Sequence, residues 1–144
     1  METAFEITKN LERIAHRVFN DTPVLFAYLY GSYAAGLSHS FSDLDIGIYV
    51  PPMSTKDKMD LEMSLALTID KGLNRKFNSD VRIVNGLPLA VAGEIVTKGV
   101  MIYCRDDKAR IDYETVVRSS YFDFLPFLRK YQRNYLKQQS TDNN

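Results

Sequence analysis

The sequence predicts an α/β or α+β domain in which helices flank a small mixed sheet. Four short apolar runs have the length of buried strands, and longer segments with apolar side chains at helical spacing lie before, between and after them. The chain has 144 residues, 45% of them hydrophobic, which is enough for one core but not for a second domain. We therefore expect a single domain over residues 1–139 and a polar tail over residues 140–144.

The first part of the chain predicts one helix and two strands. Residues 4–20 have an amphipathic pattern, and the Asp-Thr-Pro sequence at 21–23 ends the predicted helix. The apolar run 24–30 predicts a buried strand. Alternation over residues 43–50 predicts a second strand, with aliphatic side chains on its core face and two acids on the opposite face.

The middle of the chain predicts helices and strands in alternation. Ser54 is expected to cap a helix that continues to Leu73. Residues 80–84 predict a third strand, and residues 100–104 predict a further strand or a buried extension. A helix over residues 88–98 lies between them, with proline near its start and glycine just after its end. The side chains expected on the buried face of the first of these helices are Met59, Met63, Ala66 and Leu73.

From Asp107 onward, the chain has helical propensity and many aromatic and basic side chains. Pro126 is expected to kink or split this C-terminal helix. The segment from Tyr121 to Lys137 is a candidate docking surface for a partner protein, although half or more of its aromatic side chains could belong to the core instead.

A short motif between the first two strands carries the predicted chemistry. Gly31 and Ser32 follow the first strand, and ten residues later Asp43-Leu44-Asp45 begins the second. Asp43 and Asp45 lie on the same strand face, roughly 6.5 Å apart from two residues of strand rise. Adjacent carboxylates repel each other unless a cation lies between them, and Mg2+ prefers a few carboxylates together with substrate phosphate oxygens. The pattern therefore indicates a site for a metal ion and a nucleotide.

The turn at Gly31 and Ser32 suits a phosphate. Glycine permits a positive φ and a close approach of a ligand, and the Ser32 hydroxyl can cap a short helix. Backbone N–H groups at such a turn favour anions. Taken singly, Gly-Ser is an ordinary turn and Asp-x-Asp is an ordinary start of a strand. Their joint occurrence at two strand ends favours a functional site.

The pattern Gly31-Ser32-x10-Asp43-x-Asp45 resembles the signature of the polymerase-beta-like nucleotidyltransferases. The short chain is similar to the minimal nucleotidyltransferases that serve as MNT antitoxins in HEPN/MNT toxin–antitoxin systems. The resemblance covers most of the chain and implies the nucleotidyltransferase fold. It implies that Gly31 and Ser32 hold the nucleoside triphosphate. It also implies that Asp43 and Asp45 bind two Mg2+ ions, and that a later strand supplies a third carboxylate.

Asp80, at the start of the third predicted strand, has the position that the resemblance requires for this third acid. There it can help to hold the catalytic metal and accept the proton of the attacking hydroxyl. The alternative is an aspartate at the start of a strand that a loop amide holds. Arg82, on the same strand face, could contact phosphate or form a surface ion pair.

The resemblance also implies a reaction, namely transfer of AMP from ATP to a tyrosine hydroxyl of a cognate HEPN ribonuclease toxin, which silences the toxin. The expected partners are therefore this toxin and ATP. One departure concerns the turn, because many relatives have an arginine shortly after Gly-Ser, where this chain has Tyr33-Ala34-Ala35-Gly36. Arg82 or a basic residue of the partner would have to replace that phosphate contact.

Two other functions are compatible with the same residues. One is a non-catalytic antitoxin that blocks its toxin by contact, which the presence of all three acids disfavours. The other is nucleotidyl transfer to a small molecule such as an aminoglycoside, which the lack of an obvious acceptor-binding domain disfavours.

Composition argues against several further classes of protein. The 18 basic and 18 acidic residues give a formal net charge of zero, so direct nucleic-acid binding is not expected. The single cysteine excludes an internal disulfide and a zinc site built from cysteines. No apolar run is long enough to span a membrane and no signal peptide is evident, so we expect a cytoplasmic protein without membrane contact.

Overall fold

A four-stranded mixed sheet with helices on both faces forms the centre of the computed structural model, which describes residues 4–31 and 44–142. The predicted α/β class is confirmed. The elements are α1 (Ala4–Phe19), β1 (Phe26–Tyr30), β2 (Leu44–Tyr49), α2 (Thr55–Gly72), β3 (Ser79–Ile83), α3 (Leu89–Lys98), β4 (Val100–Cys104) and α4 (Asp107–Asp142). A short 3-10 turn at Val84–Gly86 follows β3.

The strand order is β3-β2-β1-β4. Strand β1 pairs antiparallel with β2 and β4, whereas β2 pairs parallel with β3. A parallel pair needs a crossover connection, and α2 provides it between β2 and β3. The register places Asp45 opposite Tyr30 on one side and opposite Asp80 on the other.

The two faces of the sheet have separate cores. The larger core contains Leu44, Ile46 and Ile48 of β2 together with buried side chains of α1 and α2. A second, mainly aromatic core contains Phe26 and Tyr28 of β1 and receives side chains from α3 and α4. Because successive strand residues point to opposite faces, the acids of β2 and β3 lie on the face that this aromatic core covers.

The buried face of α2 differs from the predicted one. Met59 and Met63 are 57% and 66% exposed, so their assignment to the core is wrong. Two apolar stripes occur on this helix, and the stripe with four-residue spacing through its leucine and isoleucine side chains is the one that packs on the sheet. The residues of α2 and its C-cap that are buried or pack against the core are Leu61, Leu65, Ala66, Ile69 and Leu73.

Side chains of α2 also cover the free edge of β3. The Ile83 N–H donates to Glu62 Oε2 at 2.9 Å, and the Ser79 N–H donates to Asp70 Oδ1 at 2.8 Å. The helix begins as predicted, because the Ser54 hydroxyl accepts a hydrogen bond from the Asp57 N–H at 3.1 Å. These contacts hold the third strand in place and occupy donors that could pair with another chain.

Helix α4 is continuous from Asp107 to Asp142, so of the expected kink or split at Pro126 the split does not occur. Proline removes the donor for the carbonyl four residues earlier, which belongs to Phe122. Both residues are exposed, so water can satisfy this carbonyl and the helix tolerates the proline. Because the helix ends at Asp142, residues 140–142 of the expected tail are helical.

The two halves of α4 have different environments. The first half packs on α3, where the ring of Tyr121 lies so close to Gly93 that a Cβ there would overlap it. The second half exposes large apolar side chains, namely Phe122, Phe127, Tyr131, Tyr135 and Leu136. No helix in the described part of the chain combines the length and the apolarity that a membrane crossing requires.

Candidate active site

The structure describes three of the five predicted site residues. Gly31 ends β1, Asp45 lies in β2 and Asp80 lies in β3. Ser32 and Asp43 lie outside the described residues, so their predicted roles stay predictions.

Asp45 and Asp80 are neighbours across the parallel pair of strands. The register aligns their Cα atoms directly, and adjacent strands lie about 4.8 Å apart. Both side chains belong to the strand face opposite Leu44, Ile46 and Val81, which are core residues of the larger cluster. The sheet therefore places two of the three predicted acids side by side.

Gly31 lies directly against one of these carboxylates. Its φ is +76°, which is a conformation that L side chains rarely adopt. A Cβ built at this position would overlap Asp45 Oδ2. The glycine is thus required twice, once for the backbone turn and once because the carboxylate occupies the space of a side chain.

Arg82 brings a positive charge to the same face. Its Nη2 lies 3.3 Å from Asp80 Oδ2, and both side chains are about half exposed. This ion pair offsets part of the repulsion between the two carboxylates. The sequence left two roles open for Arg82, and the structure shows it in an ion pair.

Tyr30 is a residue of this site that the sequence analysis placed only in a buried strand. It is half-buried opposite Asp45 in the register of β1 with β2. Burial raises the pKa of its phenol, and the negative charge of Asp45 raises this pKa further by a smaller amount. The charge of Arg82 acts in the opposite direction on the same pKa. The sequence signal for this role was its position directly before Gly31, whereas the face it occupies follows from the register of β1 with β2.

Gly47, two residues after Asp45 in β2, makes room for Val84 beside Tyr30. A Cβ at Gly47 would lie 2.7 Å from Val84 Cγ1 and 3.5 Å from Tyr30 Cε1. The absent side chain therefore lets Val84 pack against β2, while the Tyr30 ring lies at ordinary contact distance from this position.

The described residues fit a divalent cation in their chemistry. Asp45 and Asp80 offer hard oxygen donors on one face, which Mg2+ prefers. Within residues 4–31 and 44–142, no three or more metal-ligating side chains cluster together. A complete ligand set thus needs oxygen atoms from elsewhere, such as a bound phosphate or Asp43.

Comparison with protein families adds independent information. Residues 9–108 match the family model described as polymerase beta, nucleotidyltransferase. The chain belongs to this nucleotidyltransferase family. The match includes both strands that carry Asp45 and Asp80, and it confirms the family that the Gly31 to Asp45 motif indicated.

Solved structures of toxin–antitoxin complexes contain chains with the same fold. One, from a variant MntA–HpeT toxin–antitoxin, matches with a TM-score of 0.67 and 16% identity over 87% of this chain and 98% of the other. Another, from a tri-AMPylated Shewanella oneidensis HEPN toxin in complex with MNT antitoxin, has a TM-score of 0.62 and 15% identity over 90% and 98%. A third, from a toxin–antitoxin with AMP-PNP, has a TM-score of 0.61 and 16% identity over the same shares of 90% and 98%.

At these identities, the likeness establishes a shared nucleotidyltransferase fold. A comparison with curated protein sequences found no match.

Proposed function

We propose that this chain is an antitoxin that transfers AMP from ATP to a tyrosine hydroxyl of a HEPN-type toxin. The observation that carries this proposal is the alignment of Asp45 with Asp80 beside the Gly31 turn, in a chain of the nucleotidyltransferase family. Support for the acceptor comes from the fold, because a chain of similar fold occurs in a complex with a tri-AMPylated HEPN toxin.

The turn at Gly31 would hold the triphosphate. Its positive φ opens the backbone after β1, and the lack of a Cβ lets a phosphate approach the main chain. Ser32 would add a hydroxyl contact. Asp43, Asp45 and Asp80 would hold two Mg2+ ions. When bound, Mg2+ neutralises phosphate charge and lowers the pKa of the acceptor hydroxyl.

Asp80 is the proposed proton acceptor. The tyrosine oxygen of the toxin forms a bond to the α-phosphorus of ATP, the bond from that phosphorus to the pyrophosphate oxygen breaks, and the tyrosine proton passes to Asp80. The side chain of Asp80 is 43% exposed, so both an incoming acceptor and solvent can reach it. Pyrophosphate is the second product.

The second half of α4 is the proposed docking surface for the toxin. Phe127 and Tyr131 are about 70% exposed, and isolated domains rarely leave several large aromatic side chains together in solvent. Basic side chains of the same segment are Arg129, Lys130, Arg133 and Lys137. Aromatic and arginine side chains are enriched among residues that dominate protein interfaces. A toxin that docks here would bring its tyrosine as the acceptor that this single domain lacks.

Calorimetry of ATP binding, with and without Mg2+, tests the catalytic site. We expect Mg2+ to strengthen ATP binding to the wild-type chain. Asp45→Asn should remove this strengthening and leave the fold intact, because it removes one of two adjacent negative charges without a change of shape. Asp112→Asn is the matched control, since Asp112 pairs only locally with Lys108 on the exposed surface of α4. Equal ATP affinity of the wild-type chain in Mg2+ and in a chelator would contradict the proposal.

A further inference from the structure

We propose that Arg82 is a substrate-binding residue whose guanidinium contacts the triphosphate. This inference rests on the proposed function, because it assigns a phosphate ligand within the same site. It goes beyond the carboxylates and the turn, which contain no positive charge of their own.

The position of Arg82 on β3 directs it to the site. It lies two residues after Asp80, so alternation places both side chains on the same face of the sheet. Its partner in register on β2 is Gly47, which follows Asp45 by two residues. The guanidinium is close enough to Asp80 for an ion pair, and its charge also acts on the phenol of Tyr30. Arg82 thus lies beside the described acids.

The negative charge of the site and its substrate favours a positively charged side chain at this position. Asp45 and Asp80 are adjacent, and a nucleoside triphosphate would bring several more negative charges to the same face. The ten residues between Ser32 and Asp43 contain neither lysine nor arginine. A permanently charged side chain at this turn must therefore come from another part of the fold, since His39 is the one basic residue of this segment.

Arginines of the neighbouring α4 region are engaged elsewhere. Arg110 and Arg118 pair with Glu114, at 3.3 Å and 3.7 Å. Arg105 donates to the carbonyl oxygens of Asn20, Thr22 and Val24 at the far end of β1. Arg82, by contrast, lies on the strand face that carries the acids and pairs with Asp80 itself.

The ion pair with Asp80 does not prevent this role. Pairs between half-exposed side chains are weak, because water solvates both charges and the long side chains lose conformational freedom. When Asp80 is engaged by another cation, the guanidinium can turn to a phosphate without leaving the strand face. Its planar set of donors matches two phosphate oxygens at once.

Calorimetric titration with AMP-PNP and Mg2+ tests the inference without turnover. We expect Arg82→Ala to raise the Kd about tenfold to a hundredfold, the range for loss of a hydrogen bond to a charged group. Arg82→Lys should recover part of the affinity, since it keeps the charge but loses the paired donors. Arg17→Ala, on the exposed surface of α1, is the matched control and should leave the Kd unchanged.

A second comparison distinguishes a contact of Arg82 with the phosphate from an effect of Arg82 that acts only through its ion pair with Asp80. The same titration is repeated for Asp80→Asn and for Asp80→Asn combined with Arg82→Ala. A phosphate contact predicts that Arg82→Ala still weakens binding after Asp80 has lost its charge. If this weakening disappears, or if Arg82→Ala binds like the wild-type chain, the inference is wrong while the proposed function stands. If the wild-type chain itself does not bind AMP-PNP in Mg2+, the proposed function fails as well.

Discussion

At the scale of single residues, the site depends on backbone geometry more than on side-chain packing. The pairing of β2 with β3 fixes the Cα atoms of Asp45 and Asp80 relative to each other. The φ of +76° at Gly31 sets the direction in which the chain leaves β1. Changes that keep the backbone, such as aspartate to asparagine, should therefore affect chemistry, whereas changes that move the backbone should affect binding and stability together.

Gly31→Ala is expected to impair both nucleotide binding and stability. A residue with a Cβ costs about 1–2 kcal/mol in the left-handed region, and here the new atom would also displace the carboxylate of Asp45. We expect at least a tenfold loss of Mg2+-dependent ATP affinity in calorimetry and a lower midpoint of thermal unfolding. Gly86→Ala is the control, because a Cβ there meets no atom within 4 Å. Wild-type ATP affinity in Gly31→Ala would show that the turn does not hold the nucleotide.

At the scale of elements, the attachment of α4 to the sheet combines polar and aromatic contacts. Glu114 is buried and accepts a hydrogen bond of 2.5 Å from the Tyr28 hydroxyl, while Arg110 Nη1 donates to its other oxygen at 3.3 Å. Tyr113 packs against the rings of Phe26 and Tyr49, which stack on each other. Glu114 therefore has the partners that a buried carboxylate needs. The Tyr113 hydroxyl, in contrast, is buried without a hydrogen-bond partner among the described residues.

Tyr113→Phe is expected to stabilise the protein by about 1 kcal/mol, because it removes a hydroxyl whose transfer from water costs free energy that no hydrogen bond offsets. Burial raises the pKa of Tyr113 from 10.0 to about 12. The unfolded chain therefore releases this proton first, and stability falls as the pH rises from 10.0 toward 12. In the variant, stability should therefore fall less steeply at alkaline pH. The remaining fall comes from Tyr28, whose pKa is also raised by burial.

Denaturant unfolding measured from pH 8 to pH 12 checks this expectation. Tyr131→Phe is the control, because Tyr131 is 70% exposed on the same helix and its substitution should leave the free energy of unfolding unchanged. If Tyr113→Phe is less stable than the wild-type chain and stability still falls equally at alkaline pH, the expectation is wrong and the hydroxyl forms a hydrogen bond in the folded protein.

At the scale of the whole molecule, the sequence predicted the elements that depend on local patterns. Strict alternation over residues 43–50 placed Asp45 on the face opposite Ile46 and Ile48, and the sheet confirms it. The N-cap of α2 was also predicted correctly, because the Ser54 hydroxyl accepts a hydrogen bond from the first turn of this helix. The family was identifiable because its motif combines a turn and a strand at fixed spacing, which requires no knowledge of the tertiary structure.

The features that failed depend on tertiary contacts. Helix α2 has two apolar stripes, and only the position of the sheet decides that Leu65 is buried and Met63 is not. The tolerance of Pro126 depends on solvent around α4, and the position of Tyr30 beside the acids depends on the antiparallel register with β2. None of these is encoded in local periodicity.

The central claim is that this chain changes its partner covalently. Intact-mass spectrometry tests it most directly, applied to the proposed HEPN-type partner after incubation with the chain, ATP and Mg2+. We expect the partner to gain the mass of one or more AMP units and to stay inactive after the chain is removed, whereas Asp80→Asn should produce neither effect. An unchanged partner mass, together with full neutralisation by Asp80→Asn, would contradict the transferase and indicate an antitoxin that acts by contact.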